Sequence, residues 1–182
     1  LTWVGDIKSP VTDNLYFTSM EKNEIKQMLR PGDIILTYSA GYMSNIFLPG
    51  TFKHGIVYVG DRQSWNEQDW ASLHLSAEKR AFIHPGDDII ESVSEGVISN
   101  SMDHLLDHKV NRMVILRPKL NPAQIQKAMG VVHSYLGNGY DFSFDFNDAA
   151  TQVCTEIIYR AFNGVGGIEF HLRKRVGNMT LS

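Results

Sequence analysis

The sequence predicts an α+β fold in which an antiparallel sheet packs against helices. Three observations carry that expectation. Short apolar segments bounded by turn formers recur at 33–38, 54–59, 88–93, 97–98 and 113–116, ahead of any long amphipathic helix. A long apolar stripe at helical spacing then runs from 125 to 136, and a second helical segment, headed by the only cysteine, begins near 154. Strands first and helices afterwards is the order of an α+β domain rather than of repeating βαβ units.

Each element has a local cause. Thr18 to Glu21 reads as a capping box, with Ile25, Met28 and Leu29 on one face of a short helix that Arg30-Pro31-Gly32 ends. Asp33 to Tyr38 is a buried strand, and Ala40 to Pro49 a loop or short helix rich in aromatics. His54 to Val59 is the second strand, stopped by Gly60-Asp61. Residues 62–86 are polar and aromatic-rich, with Trp65, Trp70, His74 and His84, and read as an insertion or long loop. Asp88 to Val93 is the third strand, and Glu95-Gly96 turns it into a hairpin with Val97-Ile98. A capped helix over Ser101 to His108 and a strand over Met113 to Leu116 follow. Asn121-Pro122 opens the stripe of Ile125, Ala128, Met129, Val132 and Leu136, which Gly137 closes. In the last helix Ile157 with Ala161 and Ile158 with Phe162 repeat at i,i+4; Thr151 is the expected cap and Asn163-Gly164 the stop. Ile168 to Leu172 is a candidate last strand, and Arg173-Lys174-Arg175 reads as a solvated turn.

The 182 residues suffice for one domain with a substantial core, here 1–182 with an N-terminal extension and helix over 1–30. A net charge of −3 offers no general attraction to nucleic acid or anionic membrane. One cysteine excludes an internal disulfide and a thiolate-rich zinc site. No apolar run reaches the length of a membrane span, and there is no signal-peptide core. The chain begins at Leu1 rather than methionine, as removal of an upstream segment would leave it.

Cys154 in a first helical turn faces unpaired backbone N–H groups and the positive end of the helix dipole, which favour a thiolate. It also shares a face with Ile158 and Ala161, so a small buried hydrophobe is the competing reading. A cysteine nucleophile needs a base, and the base needs a third group that fixes its tautomer. Alternation puts His54, Ile56 and Tyr58 on one strand face and Ile89, Glu91 and Val93 on another, so His54 and Glu91 meet if those strands are neighbours. A carboxylate between Ile90 and Val93 requires a partner. Spacing alone does not select them from 7 histidines and 20 acidic residues. His104 and His108 lack a third ligand of metal-binding spacing, Asp141, Asp145 and Asp148 lack that of a calcium loop, and neither a metal nor another cofactor is expected.

Five ordered blocks carry a resemblance. They are Pro31-Gly32-Asp33-Ile-Ile-Leu, Lys53-His54-Gly-Ile-Val-Tyr-Val59, Ile90-Glu91-Ser-Val, Gly137-Asn-Gly-Tyr140-Asp141-Phe142 and Val153-Cys154-Thr-Glu156-Ile-Ile-Tyr159. Together they resemble the permuted papain-like amidases, the YiiX-like relatives of NlpC-type peptidases and of lecithin:retinol acyltransferase. The resemblance implies a circularly permuted papain-like fold, with the histidine strand before the cysteine helix. It implies Cys154 as nucleophile, His54 as general base and then acid, Glu91 as the group orienting the imidazole, and Tyr140 lining the pocket. It further implies an amidase or peptidase acting on a cell-wall peptide, an acyl-amide or another small-molecule substrate. The alternatives are lipid or acyl transfer on the same three residues, and a binding module for envelope fragments that has lost turnover. The habits of the relatives favour the bacterial cell envelope or periplasm over the cytoplasm. The chain departs from the pattern in Thr155, where relatives carry serine, in Gly139, where many carry proline, in a longer 62–86 region and in an early C-terminus.

Overall fold

Five antiparallel strands form the central sheet: β1 (Ile34–Tyr38), β2 (His54–Tyr58), β3 (Ile89–Val93), β4 (Gly96–Asn100) and β5 (Arg112–Leu116), in the order β4-β3-β2-β1-β5. The helices are α1 (Ser19–Met28), α2 (Ala77–Arg80), α3 (Met102–His108), α4 (Pro122–Ser134) and α5 (Cys154–Phe162). Two short pairs complete the elements among the described residues: parallel β6 (Gly139–Tyr140) with β7 (Thr151–Gln152), and antiparallel β8 (Leu172–Arg175) with β9 (Asn178–Leu181). The structure, a computed structural model, describes residues 17–38, 54–62, 65, 71–108, 110, 112–140, 151–152, 154–175 and 178–181. Expectations for Ala40 to Pro49 and for Asp141, Asp145 and Asp148 fall outside these residues.

The sheet is covered on both faces. Val57, Ile34, Ile90 and Val97 pack with α4 and α5 in one core; Ile35, Ile56 and Ile89 pack with α1 and α3 in the other. Central strands buried on two sides read as nearly continuous apolar runs, which is why Ile34 to Leu36 and Ile56 to Val57 show no polar gap. Alternation still sorts the two sides: Ile56 and Val57 belong to opposite cores.

The caps behave as their sequences dictate. Thr18 Oγ1 accepts from the Glu21 N–H while the Glu21 carboxylate accepts from the Thr18 N–H at 2.7 Å. Asn121 and Gln124 repeat the arrangement ahead of α4, with Pro122 in the first turn. A hairpin turn at Ser94-Glu95 joins β3 to β4 and sets the register Val93↔Gly96 and Glu91↔Ile98. Gly96 sits at φ +114°, and a side chain there would meet the Asn138 carbonyl at 2.4 Å, so only glycine lets the 137–140 segment lie against β4.

Several expectations change. Met28 is exposed, since only Ile25 and Leu29 of its group reach the core. The 62–86 region is more than a loop: Leu73 and Leu75 are buried, Trp65 Nε1 donates to the Val59 carbonyl, and Ala77–Arg80 is helical. Thr151 does not cap α5; it lies in β7, whose backbone pairs with Gly139–Tyr140 before the chain turns into the helix. The last strand pair begins at Leu172, so Ile168 to Phe170 lie outside it and Arg173-Lys174-Arg175 form strand rather than turn.

Candidate functional site

The site is built at the end of β2. Helix α5 packs on β2 and β3 and comes close to the sheet at Gly55. A Cβ on Gly55 would lie 2.6 Å from Ile158 Cδ1 and 3.7 Å from the Cys154 carbonyl oxygen, so the missing side chain is what lets the first turn of α5 settle beside His54. Ile157, Ile158, Ala161 and Phe162 bury the apolar face of the helix and fix its position. Cys154 is the first residue of the helix and only partly buried, so it is not a core hydrophobe.

His54 and Glu91 meet by strand register. Glu91 pairs directly with Ile56, which makes it the diagonal neighbour of His54 two residues away on the same face. Its Oε2 lies 2.7 Å from His54 Nε2. With Nε2 committed to Glu91, Nδ1 is the ring nitrogen left to act on the Cys154 thiol, and the two groups shift each other's protonation. The Gly55 and Thr155 backbone amides also favour the charged sulfur. Glu91 is 2% exposed, whereas the His54 side chain keeps 25% of its surface open.

This arrangement moves protons toward an ion pair. Burial alone would push the His54 imidazole down; the hydrogen bonds to Cys154 and Glu91, with their charges, outweigh it and leave the imidazole pushed up to about 10. For Cys154 burial alone would raise the thiol, but the His54 hydrogen bond and charge, with the Gly55 and Thr155 amides, bring it below its ordinary value. A thiolate beside an imidazolium is the activated form of a cysteine nucleophile.

Two residues complete the picture. Asn100, which sequence reasoning did not single out, donates from Nδ2 to Glu91 Oε1 at 2.9 Å. Its signal was present in the hairpin register: Asn100 faces Ile89 and is therefore diagonal to Glu91. Tyr140 has its backbone in β6, at the parallel pairing with β7 just before Cys154; its side chain is outside the described residues.

A sheet histidine that precedes a helix-terminal cysteine, on an α+β fold, defines a permuted papain-like architecture. The chain belongs to the permuted papain-like amidase enzymes of the YaeF/YiiX family, whose sequence pattern matches residues 28–182. Membership supports a cysteine-type hydrolase. The fold is similar to that of the metalloprotein yiiX from Escherichia coli O157:H7, with a TM-score of 0.56 and 20% identity over 80% of this chain and 71% of that one. At that identity the likeness is one of fold. Among curated proteins none matches the chain.

The metal in that neighbour's name finds no matching ligand set among the described residues, where no three His, Cys, Asp or Glu side chains converge. Cys154, His54 and Glu91 stand in series, with the imidazole between the other two, so they present no common point for an ion. No described helix is long and apolar enough to cross a membrane.

Proposed function

We propose that this protein is a cysteine amidase or peptidase that cleaves an amide bond through an acyl-enzyme, with Cys154 as nucleophile, His54 as acid and base, and Glu91 orienting the imidazole. The observation that carries this reading is the series Cys154–His54–Glu91, in which the imidazole is held at 2.7 Å by a buried carboxylate and acts on the thiol of a partly buried cysteine at a helix start. The Cys154 thiolate attacks the carbonyl carbon and the oxygen takes the charge. The Cys154 N–H at the helix start is a natural donor to that oxygen. Imidazolium Nδ1 gives its proton to the departing nitrogen as the C–N bond breaks, leaving a thioester. His54, now neutral, takes a proton from water as the oxygen attacks the thioester. The sulfur leaves as thiolate, and His54 is again protonated.

In this reading Tyr140 lines the substrate side of the site; its backbone pairs with Gln152, two residues before Cys154. The substrate class it favours is a cell-wall peptide or an acyl-amide, as the family resemblance implies. The test is the pH dependence of Cys154 alkylation by iodoacetamide in the wild type and in His54→Ala. A free thiol near 8.5 is under ~1% ionised at pH 6, so loss of the ion pair slows alkylation there by about a hundredfold. A cysteine that reacts slowly in both proteins would leave a binding module on a hydrolase fold.

A further inference from the structure

We propose that Asn100 is a positioning residue that holds the Glu91 carboxylate against His54; the inference rests on the function proposed above. Three strands carry a diagonal series on one face. His54 on β2 meets Glu91 on β3 at 2.7 Å, and Glu91 meets Asn100 on β4 at 2.9 Å. Each step crosses two residues of register, since Glu91 pairs with Ile56 and Asn100 with Ile89.

The orientation of the Asn100 amide is fixed from its far end. Its Oδ1 accepts from the Ser101 N–H at 2.8 Å, which leaves the NH2 group facing Glu91. Its backbone is held too: the Asn100 carbonyl accepts from the Asp88 N–H at 3.0 Å. Asn100 therefore stands on a rigid strand end, where α3 begins, and not on a loop. A carboxylate with one oxygen on His54 and the other on a fixed amide cannot turn about its last bond. That immobility keeps Nε2 as the protonated nitrogen facing Glu91 and Nδ1 as the one facing sulfur. The same logic makes the partners behind a ligating or catalytic imidazole matter as much as the imidazole itself.

Other ionisable groups bear on the same region. His54 faces Glu91 from β2, with Cys154 of α5 on the far side of the imidazole, and Asp88 lies just before β3 with its Oδ1 accepting from the Met102 N–H. Asp61 and Asp103 in turn act on Asp88. An Asp88→Asn control separates its titration from that of the Glu91 series.

The experiment is the pH profile of Cys154 alkylation in wild type, Asn100→Ala, Asn100→Asp and His54→Ala, with thermal unfolding recorded for each. In Asn100→Ala the midpoint of the profile is expected to move to higher pH, and the rate at pH 6 to fall about tenfold, as for loss of one hydrogen bond to a buried charge. Asn100→Asp keeps the shape and places a second carboxyl beside Glu91. The two share one proton, so its profile gains an extra titration step that the wild type lacks. Profiles of both variants that superimpose on the wild type would overturn the inference while leaving the proposed function intact, provided His54→Ala still shifts. A profile that His54→Ala leaves unchanged would overturn both.

Discussion

Two buried carboxylates, Asp33 and Glu91, sit on the same sheet with 1% and 2% of their surface exposed, and they do different things. Asp33 is clasped by the Arg117 guanidinium at 2.8 and 2.7 Å and accepts the Arg30 N–H at 2.9 Å. Arginine does not release its proton, so this contact is a rivet between the end of α1, β1 and the end of β5. Glu91 has as partners an imidazole and a neutral amide, and the imidazole, unlike a guanidinium, can give up its proton. Equal burial thus separates a structural carboxylate from the one proposed to act in the site only when the partner is considered.

The contrast breaks if either residue behaves like the other. Asp33→Ala should lower stability by about 3 kcal/mol, because it strips the Arg30 amide and Arg117 of a shared acceptor, and a domain of this size would lose roughly 10 °C in Tm. Alkylation of Cys154 in the folded variant should stay within about twofold of the wild type. A large fall in reactivity at unchanged stability would make Asp33 part of the site.

The converse is Glu91→Gln, which keeps the shape and removes the charge that helps hold His54 pushed up to about 10. Alkylation at pH 6 should fall about thirtyfold, close to 2 kcal/mol, with the midpoint moved to higher pH. An NMR titration of the His54 ring should find it protonated to near pH 10 in the wild type and losing its proton at lower pH in the variant. The sign follows from the pair: the reactive thiolate–imidazolium form exists above the lowered Cys154 value and below that of His54. Removing the anion behind the imidazole narrows this window from both ends.

How much of this was legible in the sequence depends on range. The five strands of the central sheet, the Thr18–Glu21 capping box and the Cys154 helix are local, and they stand within a residue or two of where periodicity put them; the last strand, expected over Ile168 to Leu172, does not. His54 and Glu91 were legible through the ordered blocks of the family resemblance; alternation put each on a strand face but did not select them, and the adjacency of β2 and β3 had to be supplied by the fold. Asn100 was hidden because its role depends on hairpin register and not on its own neighbours. Buried His133 was hidden for a similar reason. It falls beside the stripe of α4, its Nδ1–H donates to the Met129 carbonyl at 2.7 Å, and burial pushes it down to about 4, so the ring stays neutral. Thr151 misled because a threonine just before a helix also suits a short strand, and the pairing with Gly139–Tyr140 decides between them.

A third carboxylate sharpens the comparison. Asp88 has neither an arginine fork nor an imidazole; its Oδ1 accepts the Met102 N–H at 2.7 Å, where α3 begins. Burial, with Asp103 and Asp61 nearby, raises it to about 6, although Met102 and Lys26 act the other way. A carboxyl that binds its proton more tightly folded than unfolded stabilises the fold at low pH, and that contribution fades as pH rises from about 4 through about 6. Asp88→Asn preserves an acceptor for Met102 and removes the charge. It should therefore raise stability at pH 7.5 by on the order of 1 kcal/mol, allowing for partial solvent screening, and by nothing at pH 4. Denaturant unfolding at the two pH values measures the difference. A loss of stability at pH 7.5 would mean that the Asp88 charge is compensated by the first turn of α3, and that a helix start alone can serve a buried carboxylate as well as an arginine does.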